Sequence, residues 1–292
     1  MTPADPDAPP EPPWRALLQS LEGLQGKTVL VTGASSGIGR EVALAMAAAG
    51  ARVGLAARRR SSLEAVAAEI GAGGGRAIVV PTDVTDAARV RACFAELEDR
   101  TGSVDVVVNN AGVVIPGAVV DVSEADLDRM LRVNLVGALL VMQEAVRRMR
   151  VAGGGSIVNV ASLAGRRGLS PLGGYCASKF ALIGITEALR MELHAEPIHV
   201  SLVLPGFVDT AMIDGVTQDG EILDLWPTWL TMPASWVAWA VIAAVRFRLV
   251  EVSVPPGSAT LEKLGALAPG LTDSLVRWTK STGHWLAGLR RR

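Results

Sequence analysis

The sequence predicts a doubly wound α/β sandwich, a parallel sheet covered by helices on both faces. Three observations carry that prediction. Valine-rich apolar runs alternate with amphipathic helical stretches along the chain, the pattern of parallel strands joined by crossover helices. The runs are apolar throughout instead of alternating with polar residues, as strands covered on both faces are. A glycine-rich turn, Thr32 to Gly39, separates the first run from the first helical stretch.

The elements follow in order. Strands are predicted over 28–32, 52–56, 77–81, 104–108, 156–160 and 199–204, with a last one over 250–254. Helices are predicted over 37–49, 61–70, 87–100, 124–150, 174–193 and 233–247. Glycine clusters at 71–75 and 153–155 mark turns into the following strands. The chain carries no internal repeat.

Composition removes several function classes. The 292 residues are half apolar, with 28 basic and 29 acidic side chains and a formal charge of −1. That balance provides no uniform positive field for nucleic acid. Two cysteines, Cys93 and Cys176, lie 83 positions apart without a CxxC spacing, so neither a disulfide framework nor a structural zinc site is indicated, and a reducing compartment is expected. His194, His199 and His284 show no ligand or triad spacing, and no metal site is expected.

The longest uncharged run, 225–245, contains Pro227 and Pro233. Only 234–245 reads as continuous apolar helix, too short for about 30 Å of hydrocarbon. Residues 1–13 hold six prolines and several acids rather than a basic start and an apolar core. We read 1–22 as a disordered tail and not as a signal peptide. Residues 23–256 are expected to form the catalytic domain and 257–292 a helical extension.

The turn Gly33-Ala34-Ser35-Ser36-Gly37-Ile38-Gly39 has the placement of a dinucleotide site. Glycines let the backbone turn sharply, approach a pyrophosphate and pack the next helix on the sheet. The helix start offers free N–H groups and partial positive charge to the phosphates. After the second strand stand Arg58-Arg59-Arg60 and no carboxylate. A carboxylate there suits the ribose hydroxyl of NAD, and an arginine suits the 2′-phosphate of NADP. Arg58, first after the strand, is the expected phosphate contact and NADP(H) the expected cofactor.

Together with this turn, Asn109-Asn110-Ala111-Gly112 after the fourth strand, Asn134 within a helix, Ser162 after the fifth strand and Tyr175-x-x-x-Lys179 resemble the short-chain dehydrogenase/reductase family. The resemblance runs from about residue 26 to 210, with Tyr175 following Ser162 by 13 positions. It implies one Rossmann-like domain with a seven-stranded parallel sheet, and homodimers or homotetramers formed through the two long helices. It also implies that Lys179 holds the nicotinamide ribose, Ser162 the substrate oxygen, and Asn134 a water chain relaying the proton. By the same resemblance Asp83 and Val84 border the adenine and Asn110 and Ala111 line the ribose. Pro205, Val208 and Thr210 belong to the loop closing on the nicotinamide.

The chemistry of the pair can be argued directly. A phenol with a pKa near 10 is a poor base at neutral pH. A lysine four residues later shares its helix face. At about 4 Å and an effective dielectric of about 20 the pair is worth roughly 4 kcal/mol, or about three pKa units. That would bring Tyr175 near neutrality, where it serves as acid and base. Taken singly, Ser162 also fits a strand-end cap, Asn134 a buried amide and Lys179 a surface charge. Cys176 reads as a packed side chain.

Residues 211–232, with Met212, Ile213, Leu223, Leu225, Trp226, Trp229 and Leu230, are expected to form the substrate lid. Such a lining suits an apolar alcohol or ketone: a steroid, retinoid, terpenoid or long-chain carbonyl compound. In the extension, Leu271, Leu275, Trp278, Trp285 and Leu289 lie near one helical face with Arg277, Lys280 and Arg290 to Arg292 around them. A basic amphipathic helix with tryptophan can lie on an anionic membrane. Gly283 and Gly288 weaken it, and packing on its own domain or a partner subunit is the commoner outcome. The expected location is cytoplasmic, with peripheral membrane contact through this extension as the variant. The leading reading is an NADP-dependent oxidoreductase. The alternative is a non-catalytic NADP-binding or scaffolding protein on the same fold, acting through its extension.

Overall fold

The computed structural model describes residues 24–209 and 231–258, together with 260, 263, 267, 268, 270 and 274. The proline-rich tail, Thr210, nearly all of the expected lid and most of the extension, its tryptophans included, lie outside the described residues.

The strands are β1 (Thr28–Thr32), β2 (Arg52–Ala57), β3 (Arg76–Pro81), β4 (Val106–Asn109), β5 (Gly155–Val160), β6 (Ile198–Pro205), β7 (Val208–Asp209), β8 (Met232–Pro233) and β9 (Glu251–Val254). The α-helices are α1 (Gly37–Ala48), α2 (Arg60–Ala72), α3 (Ala87–Thr101), α4 (Glu124–Leu131), α5 (Ala138–Ala152), α6 (Gly173–Glu192) and α7 (Ala234–Arg246). Seven strands form one sheet in the order β3-β2-β1-β4-β5-β6-β9, and every neighbouring pair is parallel. This is the Rossmann-like architecture expected from the sequence. β7 and β8 form a separate two-stranded piece that the sequence pattern did not reveal.

The uniformly apolar strands have a direct physical reason. Successive residues of a strand point to opposite faces, and here each face meets a core. Val29 and Val31 enter one core with Val42 and Met46 of α1, Leu63 of α2 and Val237 of α7. Leu30 enters the other with Phe94 and Leu97 of α3, Met142 of α5 and Leu182 of α6. Each such side chain, fully buried, contributes about 1.5–3 kcal/mol.

Most element ends shift by one or two residues from the sequence reading, and two differences have a clear physical form. The fourth strand begins two residues later than predicted, because Asp105 turns its carboxylate onto Lys27 Nζ and the backbone N–H of Thr28, both at 2.8 Å. The predicted helix over 124–150 is interrupted by a π-helical segment, Arg132–Gly137, between α4 and α5. Asn134 sits in that segment and is fully buried.

The winding of the sheet reverses between β1 and β4. In open α/β sheets ligands bind beyond the carboxyl ends of the strands at such a point.

Candidate active site

The site is assembled where β1 and β4 end. Thr32 Oγ1 accepts from the backbone N–H groups of Asn110 and Ala111 at 3.0 and 3.1 Å, and Asn110 Nδ2 donates to the Thr32 carbonyl at 3.1 Å. The first turn is thereby locked to the segment after β4. Gly33 has φ +68°, a conformation that favours glycine, and a Cβ there would stand 2.9 Å from the Ala111 Cα. Gly39 lets α1 close onto the turn, since a Cβ would run into the Gly33 carbonyl and the Asn110 amide.

A cavity of about 490 Å³ opens at this junction. Gly33, Ser35, Ser36, Gly37 and Ile38 line one wall, Arg58, Asp83 and Val84 another, and Asn110 and Ala111 the floor. The start of α1 carries no acidic side chain in its first turn, leaving its N–H groups and positive end open to phosphate. The glycine cradle and the elongated donor set fit a dinucleotide. Gly39, Pro205 and Val208 do not line this cavity. Gly39 serves the packing of α1, while Pro205 ends β6 and Val208 is buried in β7.

The arginine cluster separates by role. Arg60 pairs with Glu64 along α2 at 3.7 Å. Arg58 and Arg59 both line the cavity, so Arg59 joins the residue the sequence singled out. Hydrogen bonds from the Thr85 backbone and hydroxyl hold the Asp83 carboxyl below its ordinary value, with Arg58 adding to the effect.

Asn134, Ser162, Tyr175 and Lys179 do not line this cavity themselves, and Gly112 links it to Asn134 and Lys179. Gly112 lines the cavity, and a Cβ on it would stand 3.3 Å from Asn134 Oδ1 and 3.7 Å from Lys179 Nζ. Asn134 Nδ2 donates to the Val113 carbonyl and to Ser178 Oγ, both at 2.9 Å, and its Oδ1 accepts from the Val113 N–H at 2.7 Å. Ser178 Oγ donates in turn to the Tyr175 carbonyl at 2.7 Å. Nothing in the sequence pattern singled out Ser178; only the fold brings it to Asn134. Ser162 caps the short 3₁₀ turn Leu163–Gly165 by accepting from Ala164 N–H at 3.1 Å; its hydroxyl donates to the Pro205 carbonyl at 3.4 Å and stands against the Tyr175 phenol. Ser162 is thus the strand-end cap that the sequence allowed.

The electrostatics correct one expectation. Burial pushes the Tyr175 phenol up to about 12, with the Ser162 hydrogen bond acting against it. Burial also pushes Lys179 down to about 8. The lysine does not bring the phenol toward neutrality here. Its Nζ stands 5.8 Å from the ring centroid and donates to the Val160 carbonyl at 3.1 Å, and desolvation disfavours the charged form of both groups.

Cys176 is buried, its Sγ accepting from the Leu169 N–H at 3.3 Å, which matches a packed side chain. Among the described residues no cluster could hold a metal ion, and no helix is long and apolar enough to cross a membrane.

Comparison with known proteins agrees with this geometry. The family model described as short chain dehydrogenase matches residues 27–221. The chain is 36% identical over 261 residues to a ketoacyl reductase of Nostoc sp., covering 87% of this chain and 90% of that one. It is 43% identical over 194 residues to a sorbitol dehydrogenase of Cereibacter sphaeroides, covering 66% and 75%. A short-chain dehydrogenase/reductase from Mycobacterium marinum superposes with a TM-score of 0.76 at 32% identity, covering 81% and 96%. An actinorhodin polyketide ketoreductase solved with NADPH gives 0.73 at 30%, covering 79% and 96%. A family model over two thirds of the chain, relatives in sequence and neighbours in fold agree, and the chain belongs to the short-chain dehydrogenase/reductase family of oxidoreductases.

Proposed function

We propose that the protein is an NADP(H)-dependent oxidoreductase that interconverts a carbonyl and an alcohol on an apolar substrate, with Tyr175 as the acid/base. The observation that carries this is the meeting of the glycine-lined cavity with the Tyr175 group at Gly112. When bound, the dinucleotide supplies or accepts the hydride equivalent. The chain's own residues manage the proton.

Gly33, Ser35, Ser36, Gly37 and Ile38 would hold the pyrophosphate, Asp83 and Val84 the adenine, and Asn110 and Ala111 the ribose. Arg58, with Arg59, would take the 2′-phosphate; the lack of a carboxylate after β2 supports NADP over NAD. Pro205, Val208 and Thr210 would complete the nicotinamide side. Ser162 would hold the substrate oxygen against the Tyr175 hydroxyl, which gives its proton to the developing alkoxide in reduction and takes one in oxidation. A cavity-side positive charge lowers a neighbouring phenol's pKa, so the Tyr175 phenol is expected to titrate lower in the oxidised-cofactor complex than alone. Lys179 and the Asn134 turn would return the proton to water.

An apolar substrate is supported by the apolar segment that follows β4. The segment after β4 carries Val113, Val114, Ile115 and Pro116. It joins the stretch before α6 through Gly117 N–H to the Pro171 carbonyl at 2.8 Å, with Val119 packed at Gly173. Among the relatives a ketoacyl reductase favours this reading and a sorbitol dehydrogenase does not.

A panel of carbonyls and alcohols with NADPH, NADP, NADH and NAD tests the assignment. Tyr175→Phe should lower turnover roughly 10²–10⁴-fold, the usual worth of a positioned acid/base. Turnover unaffected by that change overturns the mechanism. Tighter binding of NAD than NADP overturns the Arg58 assignment. Turnover of small polar sugars with failure of every apolar ketone overturns the substrate class.

A further inference from the structure

The 3₁₀ turn that carries Ser162 into the site is three residues long, and a piece that short holds its own geometry weakly. Two contacts fix it to the tyrosine's helix. One is close packing: a Cβ on Gly165 would stand 2.8 Å from the Lys179 carbonyl oxygen and 2.7 Å from Ile183 Cδ1. The other is Arg166, the residue that closes the turn. One terminal nitrogen of its guanidinium donates to Glu187 Oε1 at 2.6 Å and to Glu251 Oε2 at 2.7 Å.

Glu187 lies on α6, twelve positions after Tyr175, and Glu251 opens the edge strand β9. The second oxygen of Glu251 accepts from Lys263 Nζ at 2.7 Å, beyond β9 in the carboxyl-terminal region. Only 18% of the Arg166 side chain and 21% of that of Glu251 are exposed, so this pair is screened less than a surface pair, while Glu187 and Lys263 reach it from the surface. Burial opposes ionisation of Glu251, yet Lys263 and Arg166 hold its carboxyl below the ordinary value.

We propose that Arg166 is a positioning residue for the reaction. By gripping Glu187 on the tyrosine's helix and Glu251 on the edge strand, it sets where the Ser162 hydroxyl stands against the Tyr175 phenol, and Lys263 tightens the grip through Glu251. The inference rests on Tyr175 being the acid/base. The groups facing the phenol are Ser162 from the turn and Cys176 and Lys179 from its own helix, and of these Ser162 alone is carried on the segment that Arg166 closes.

The single tyrosine makes the test direct. Tyrosine labelled with ¹³C at Cζ gives one resonance, which reports ionisation of that phenol with and without NADP. In Arg166→Met the titration should move up by about one pH unit, the scale of one weakened hydrogen bond to a charged group. The basic limb of kcat should move with it. At neutral pH kcat should fall about tenfold with KM within about twofold, since small misplacements of reacting groups act on the chemical step. Because one nitrogen makes both bonds, a lysine ammonium can bridge the same carboxylates, and Arg166→Lys should restore the titration and most of kcat.

An unchanged resonance and pH profile in Arg166→Met overturn the proposal, as does a loss of kcat that follows only a lower melting temperature. Should that variant not fold, Glu187→Leu removes the acceptor on the tyrosine's helix, keeps the bond to Glu251 and carries the same comparison, with the same overturning result. If the chain turns over no carbonyl at all, the acid/base reading fails while the resonance still decides whether Arg166 positions Ser162.

Discussion

A lysine ammonium buried as deeply as Lys179, 4% exposed, opposes folding wherever it is charged. Its value of about 8 lies below the ordinary 10.5 because of burial. Between those two values the unfolded chain binds the proton and the folded chain does not, so stability contributed at this site rises with pH across that window. Tyr175 acts in the opposite sense: pushed up to about 12, it makes the folded chain bind the proton between about 10 and 12, and that contribution falls with pH. The melting temperature of the parent should therefore rise relative to Lys179→Met by several degrees between pH 8 and 10, measured by calorimetry at both ends. A constant difference across that range would show that Lys179 is charged in the fold. Tyr175, Lys179, Ser162 and the glycines were legible because their chemistry depends on short, fixed spacings. The value of the phenol was not, because desolvation is set by what the whole fold lays over it. Ser178 and Arg59 escaped for a similar reason, since their partners are chosen by tertiary structure.

The element that positions Asn134 is the π segment Arg132–Gly137. Such segments are rare within helices and recur at functional sites. Here it places a buried amide where it ties the Val113 backbone to the turn of α6 that bears Tyr175. The segment ends on Gly137, where a Cβ would stand 2.7 Å from Val84 Cγ2. Val84 lines the dinucleotide cavity, so the absence of a side chain at 137 is what lets the cavity wall lie where it does. Gly137→Ala should displace Val84, since overpacking a tight contact costs about 1–3 kcal/mol. We expect dinucleotide affinity to weaken about five- to tenfold, read by fluorescence titration, while kcat at saturation stays within about twofold. A fall in kcat with unchanged affinity would place the strain on Asn134 instead. Periodicity showed the helices on both sides of this segment. It passed over the π turn because one extra residue barely disturbs an apolar stripe, and the trace it left was Asn134, a polar residue in that stripe.

At the scale of the molecule, alternation of strand and helix sufficed for the sheet, because parallel strands need crossovers and crossovers have one hand. It did not reach the β7 and β8 pair, two residues each, which is too short for any period to show. Among the apolar side chains left exposed by the two cores are Leu139 of α5, Phe180 of α6 and Val136 of the π segment that leads into α5, each between 37 and 45% exposed. Beside them a cleft of about 470 Å³ is lined by Leu139, Met142, Val146, Ile185 and Leu189. A net charge of −1 on the whole chain sets up little repulsion between copies. We propose that this face is where the family's dimer or tetramer forms in this protein, and a stable contact would need to cover about 800 Å² on each copy. Sedimentation of the parent at tens of micromolar should give a dimer or tetramer. Leu139→Glu combined with Phe180→Glu places two charges on the seam, whose burial unpaired is costly, and should give a smaller species with the circular dichroism of the parent. Because both positions face away from the cavity and from Tyr175, dinucleotide affinity should survive in the smaller species. A parent that sediments as a single chain, or a doubly charged variant that assembles as the parent does, would move the interface elsewhere or remove it.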